Sequence, residues 1–94
     1  MLLRQLEYVL AVHELRSFTK AANRCCVTQS TLSLQIKSLE ESLGVEFFNR
    51  RTSPVTTTPQ GEHLMEQVRD IVRRARAFEK YAKNLNKTTT QTNL

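Results

Sequence analysis

Ninety-four residues make one small domain and are too few for two. Apolar residues at 39% and charged residues at 24% exclude a disordered chain, and only two glycines and two prolines favour helices over turns. Fourteen Lys and Arg against nine Asp and Glu leave a net charge of +5, which suits a polyanionic partner: nucleic acid, an anionic membrane or an acidic protein.

In chain order, Leu3, Leu6, Val9, Leu10 and His13 recur at helical spacing and predict a first amphipathic helix over residues 2–14. Met1 to Leu10 has no basic leader followed by a continuous apolar stretch. No apolar run approaches the roughly 20 residues of a membrane span, so a cytoplasmic protein with no membrane partner is expected. Ser17 can cap a short second helix whose Phe18, Ala21, Ala22 and Cys25 form one apolar stripe. Cys25 and Cys26 are adjacent, and adjacent cysteines rarely bridge because the peptide between them is strained. With no Cys-x-x-Cys pair and with His13 and His63 far apart, neither a disulfide framework nor a metal site is expected. Reduced thiols fit the cytoplasm.

Thr28 is the next N-cap. Leu32, Ile36, Leu39 and Leu43 then step by four, three and four, giving a third helix over residues 29–43 that Gly44 closes. Val45, Phe47 and Phe48 lean toward a strand, Arg51 to Pro54 toward a turn, and Val55, Thr56 and Thr57 toward a returning strand. Thr58-Pro59 then starts a long helix, with Thr as cap and Pro in the first position, where its missing N–H costs nothing. Within it Leu64, Val68, Ile71, Ala75, Phe78, Ala82 and Leu85 keep an unbroken heptad rhythm, widened by Val72 and Tyr81. The expected organisation is residues 1–58 as a trihelical unit with a hairpin, 59–87 as a long helix and 88–94 as a disordered polar tail.

Two short helices joined by a tight turn, the first carrying small residues, describe a helix-turn-helix. Its second helix suits the major groove of DNA. The outward face of residues 29–43 carries Ser30, Ser33, Leu34, Lys37 and Glu41, with Gln29 at its edge. Gln can bond an adenine edge, Ser and Thr a base or phosphate, and Lys37 guanine or phosphate. Leu34, apolar on that face, suits a thymine methyl. The same face also fits a solvated core helix. Arg50 and Arg51 stand at the expected tip of the hairpin, where guanidinium groups can enter a minor groove, grip phosphates or merely keep an edge strand soluble. In the expected order, the two signals together favour DNA.

These residues resemble a known family. Ala21-Ala22, Val27 to Ser33, Gln35-Ile36, Leu39-Glu40, Leu43-Gly44, Phe48, Arg50 and Thr58-Pro59-Gln60-Gly61 are similar to the N-terminal part of LysR-type transcriptional regulators. The resemblance covers residues 2 to about 87, and so long an ordered pattern is far more specific than a lone motif. It implies a mainly α winged helix-turn-helix followed by a linker helix that dimerises, binding an interrupted inverted repeat in bacterial promoters. By position, Gln29, Ser30, Ser33, Leu34 and Lys37 match the family's DNA-touching residues and Arg50 its wing arginine. Thr28, Thr31, Arg51 and Ser53 complete the candidate DNA set. Two departures matter: the family often has Arg or Gly where Leu34 stands, and a second wing Arg where Ser53 stands. Full-length members also carry an effector-binding domain, which these 94 residues do not include, so no cofactor or small-molecule ligand is expected in this chain.

The heptad seam can be a strip of the chain's own core or an interface. The preceding residues supply too little apolar surface to cover so long a helix, which favours a homodimer through Leu64, Val68, Ile71, Val72, Ala75, Phe78, Tyr81, Ala82 and Leu85. An enzyme is not expected: there is no phosphate-cradling glycine loop, no Ser-His-Asp pattern and no paired carboxylate set. The rival class is a basic helical dimer that binds an acidic protein.

Overall fold

A computed structural model describes the backbone of residues 2–92 and the side chains through residue 87. Its elements are α1 (Leu2–Leu15), α2 (Phe18–Cys25), α3 (Gln29–Leu43), β1 (Phe48–Asn49), β2 (Thr56–Thr57) and α4 (Pro59–Thr92). Helix α1 is the hub, packing against each of the other three helices. The core joins Val9 and Val12 of α1, Ala21 and Ala22 of α2, Leu32 and Ile36 of α3, Phe47, and Met65 and Val72 of α4.

The caps fall where the sequence puts them. Ser17 Oγ accepts from the Lys20 N–H at 3.1 Å and Thr28 Oγ1 from the Thr31 N–H at 3.1 Å, each satisfying a donor with no partner in its helix. Gly44 closes α3 at φ 72°, the left-handed conformation that glycine adopts without strain. Cys26 closes α2 in the same conformation, at φ 59° and ψ 42°, without a glycine's freedom.

The hairpin is shorter than the sequence suggests. Only Phe48 pairs with Thr57 and Asn49 with Thr56, antiparallel. The flanking groups bond elsewhere: the Val55 N–H donates to the Arg16 carbonyl at 3.1 Å, and the Phe47 carbonyl accepts from the Thr58 N–H at 2.9 Å. These bonds tie the wing to α1 and to the start of α4. Thr58 caps α4 by accepting from the Gly61 N–H at 3.0 Å, and its own hydroxyl donates to the Glu46 carbonyl. A Cβ on Gly61 would run into the Phe47 carbonyl and lie 2.8 Å from Thr57 Cγ2, so only glycine lets α4 lie this close to the wing.

Helix α4 departs from expectation twice. It continues to Thr92, past the end placed at residue 87, so residues 88–92 are helical rather than a disordered tail; residues 93 and 94 of that tail lie outside the described residues. Its heptad seam also divides. Met65, Val68 and Val72 are buried in the chain's own core and Leu64 is packed against it, whereas Ile71, Phe78, Tyr81 and Leu85 are exposed. The stripe that faces α1 runs Gly61, Met65, Val68, Val72, and its continuation meets Arg76 and Glu79, which cannot extend an apolar core. Arg76 instead reaches Glu7 of α1 at 3.8 Å and marks the end of the contact. Leu64, Val68 and Val72 therefore stabilise the domain itself; the apolar face left uncovered begins at Ile71. No helix among the described residues is long and apolar enough to cross a membrane.

Candidate nucleic-acid interface

Helices α2 and α3 pack against each other, with the small Ala21 and Ala22 of α2 and Leu32, Ile36 and Leu39 of α3 buried in the shared core. That packing fixes what faces out. Gln29, Ser30, Thr31, Leu34 and Lys37 are exposed along the first two turns of α3. Leu34 has 67% of its surface in water, a cost for an apolar group with no partner in its own chain. Thr28 and Thr31 bond each other, Thr28 Oγ1 donating to Thr31 Oγ1 at 2.9 Å, so both hydroxyls are committed in part to the cap. Gln29 Oε1 accepts from the Thr19 hydroxyl at 3.0 Å, which orients the amide and leaves its NH₂ to donate outward.

Two of the predicted residues are placed differently from the rest. Ser33 is half-buried, and Arg50 folds back onto it instead of extending from the wing. Arg50 Nη1 donates to Ser33 Oγ at 2.7 Å, and its guanidinium carbon lies 4.6 Å from the centre of the Phe18 ring. Its Nη2 pairs with Glu40 Oε1 at 3.4 Å, while Glu40 Oε2 accepts from the Phe47 N–H at 2.7 Å. One arginine thus ties α2, α3 and the wing together. Arg51 and Ser53 remain exposed on the wing turn. The open groove between α3 and the wing carries both signs, with Lys37 and Arg51 beside Glu41 and Glu46.

Sequence reasoning missed Phe18, Thr19 and Glu40 as supports of this face, and it missed His13. His13 Nδ1 lies 3.0 Å from Thr57 Oγ1, and Arg69 of α4 lies 3.3 Å from Nε2. Arginine has no acceptor, so Nε2 accepts in the Arg69 contact, while Nδ1 faces the Thr57 hydroxyl and, at 3.9 Å, Glu62 Oε1. The ring thereby joins α1, the returning strand and α4. Only its place on the apolar stripe of α1 signalled this. Among the described residues, no group of three or more His, Cys, Asp or Glu is placed to hold a metal ion. Burial pushes the Cys25 thiol above its ordinary pKa, the direction that disfavours the reactive thiolate.

Residues 3–62 match the family described as bacterial regulatory helix-turn-helix protein, lysR family. The HTH-type transcriptional regulator BenM of Acinetobacter baylyi is 52% identical over 64 residues, covering 68% of this chain and 21% of BenM. The DNA-binding transcriptional dual regulator OxyR of Escherichia coli K12 is 39% identical over 86 residues, covering 92% of this chain and 28% of OxyR. The chain therefore spans about a quarter of the length of these relatives. Among solved structures, a BenM_DBD/benA site 1 DNA complex superposes with a TM-score of 0.82 at 39% identity, covering 90% of this chain and 96% of that one.

Proposed function

The chain belongs to the lysR family of bacterial helix-turn-helix regulators, and from that premise we propose that it binds double-stranded DNA sequence-specifically, as a symmetric dimer, to regulate transcription. The observation that carries the reading is the exposed face of α3: Gln29, Ser30, Leu34 and Lys37 point away from a core held by Leu32, Ile36 and Leu39. A helix presented this way fits a major groove. Gln29 suits an adenine edge, Leu34 a thymine methyl and Lys37 guanine or phosphate. Thr28, Ser30 and Thr31 lie at the helix N-terminus, where backbone N–H groups favour a phosphate. Arg51 and Ser53 lie on the wing beside the duplex backbone.

The second half of α4 supplies the dimer. Ile71, Phe78, Tyr81 and Leu85, with Ala75 and Ala82 between them, continue the heptad rhythm beyond the chain's own core. A symmetric pair of reading helices suits an interrupted inverted repeat, with α4 setting the spacing of its halves. The protein is a binding protein and not an enzyme, it works in the cytoplasm, and this segment uses no cofactor or small-molecule ligand. Selection from a pool of random duplexes tests the reading. Enrichment of an inverted repeat is the expected result. Binding at low salt without enrichment leaves only phosphate attraction, and no binding turns the assignment to a module for an acidic protein partner.

A further inference from the structure

Arg50 is held by Ser33, Glu40 and Phe18, with 34% of its side chain still exposed. Besides its 2.7 Å bond to Ser33 Oγ, its Nη2 lies 3.5 Å from the Ser33 carbonyl and 3.4 Å from Glu40. Its plane covers Phe18. Drawing it out toward a phosphate would break all of these contacts and strand Glu40, whose side chain is only 11% exposed, without its countercharge. Arg51, one residue on, is exposed and pays no such cost.

The contact also dictates what Ser33 offers. A serine hydroxyl has one proton and two lone pairs, whereas a guanidinium only donates. Arg50 therefore occupies a lone pair of Oγ and cannot receive the Ser33 proton. Among the described residues Ser33 Oγ bonds Arg50 alone, with no back-bond to the carbonyl one turn earlier, so the proton turns outward. A donor aimed at Oγ also strengthens the bond that the hydroxyl then gives.

We propose that Arg50 is a positioning residue that sets Ser33 as an outward hydrogen-bond donor, so that the base facing Ser33 on the contacted strand is chosen for an acceptor edge. Guanine N7 and O6, adenine N7 and thymine O4 satisfy it; the cytosine amino group does not. Arg50 itself carries none of the phosphate attraction. The inference rests on the DNA-binding reading.

The experiment uses the duplex recovered by selection. Wild type, Ser33→Ala, Arg50→Ala and the double variant are titrated against that duplex and against versions carrying each base at every half-site position, across a salt series. The position under Ser33 is the one whose preference Ser33→Ala removes. Arg50→Met keeps an apolar stem over Phe18 and replaces Arg50→Ala if circular dichroism shows the latter unfolded. The expected result is that wild type rejects cytosine there by about tenfold or more, the scale of one mismatched pair. Loss of Arg50 reduces that rejection to within about twofold, removal of both side chains adds nothing at that position, and the salt slope is unchanged. The inference is overturned if base preference survives and the salt slope falls by about one, the mark of a phosphate contact. It is equally overturned if the two losses add. A wild-type chain that enriches no sequence overturns the DNA reading itself, a result recorded before any variant is compared.

Discussion

The two halves of α4 share one apolar rhythm and use it for opposite purposes. In the first half, Val68 and Val72 close the core against α1; in the second, Phe78 and Tyr81 are 70% and 68% exposed. The change comes where α1 runs out and Arg76 pairs with Glu7. A heptad seam therefore tells how a helix is striped but not what covers the stripe. The cover is decided by the rest of the chain, and by the charged residues that end the neighbouring stripe.

The sharpest break of this comparison is a charge placed in each half. Val72→Asp buries an unpaired carboxylate in the core and is expected to cost about 4 kcal/mol or more, enough to unfold so small a domain in urea titrations. Ile71→Asp with Phe78→Asp is expected to leave the fold intact by circular dichroism and to lower dimer affinity by about a hundredfold or more, giving monomers in sedimentation. A double variant that stays dimeric would place the partner surface elsewhere. A double variant that unfolds would show that the second half is covered by its own chain.

A smaller test probes the close contact between the wing and the buried half. Gly61→Ala drives a methyl into the Phe47 carbonyl, which cannot move without disturbing the wing, and is expected to cost about 1–3 kcal/mol in urea unfolding. Dimerisation through Ile71 and Phe78 is expected to survive in whatever fraction remains folded. Thr28→Ala acts at the start of α3: losing the bond to the Thr31 N–H should cost about 1 kcal/mol by the same titration.

The local features of this fold were legible because they depend on near neighbours in sequence. Ser17, Thr28 and Thr58 each bond a backbone N–H three residues on, and Gly44 follows the last residue of α3. The strands were overestimated because Val55 and Phe47 look like strand residues while their backbone groups bond Arg16 and Thr58 instead. The outward face of α3 was legible from helical period except at Ser33, which Arg50 half covers. The clasp of Arg50 on Ser33 and Phe18 was not, because it joins residues 17 and 32 positions apart and depends on where the wing turns back. The division of α4 escaped for the same reason: Met65 and Gly61 reveal their stripe only once α1 and the wing lie beside them.

The smallest expected effect is a gain in stability, at the turn between α2 and α3. Cys26 holds φ 59° with its side chain exposed, and its N–H donates to the Asn23 carbonyl at 3.2 Å to close α2. A left-handed conformation costs an L-residue roughly 1–2 kcal/mol, because Cβ crowds the backbone, and costs glycine almost nothing. Glycine is also freer in the unfolded chain, which returns part of that gain. Cys26→Gly should therefore stabilise the domain by about 0.5–1 kcal/mol in urea unfolding. The exposed thiol reaches the Arg24 carbonyl only at 4.0 Å, so its removal forfeits little, whereas Cys25, half-buried, packs against the core. A loss of stability on Cys26→Gly would mean that the thiol makes a contact worth more than the strain it accompanies.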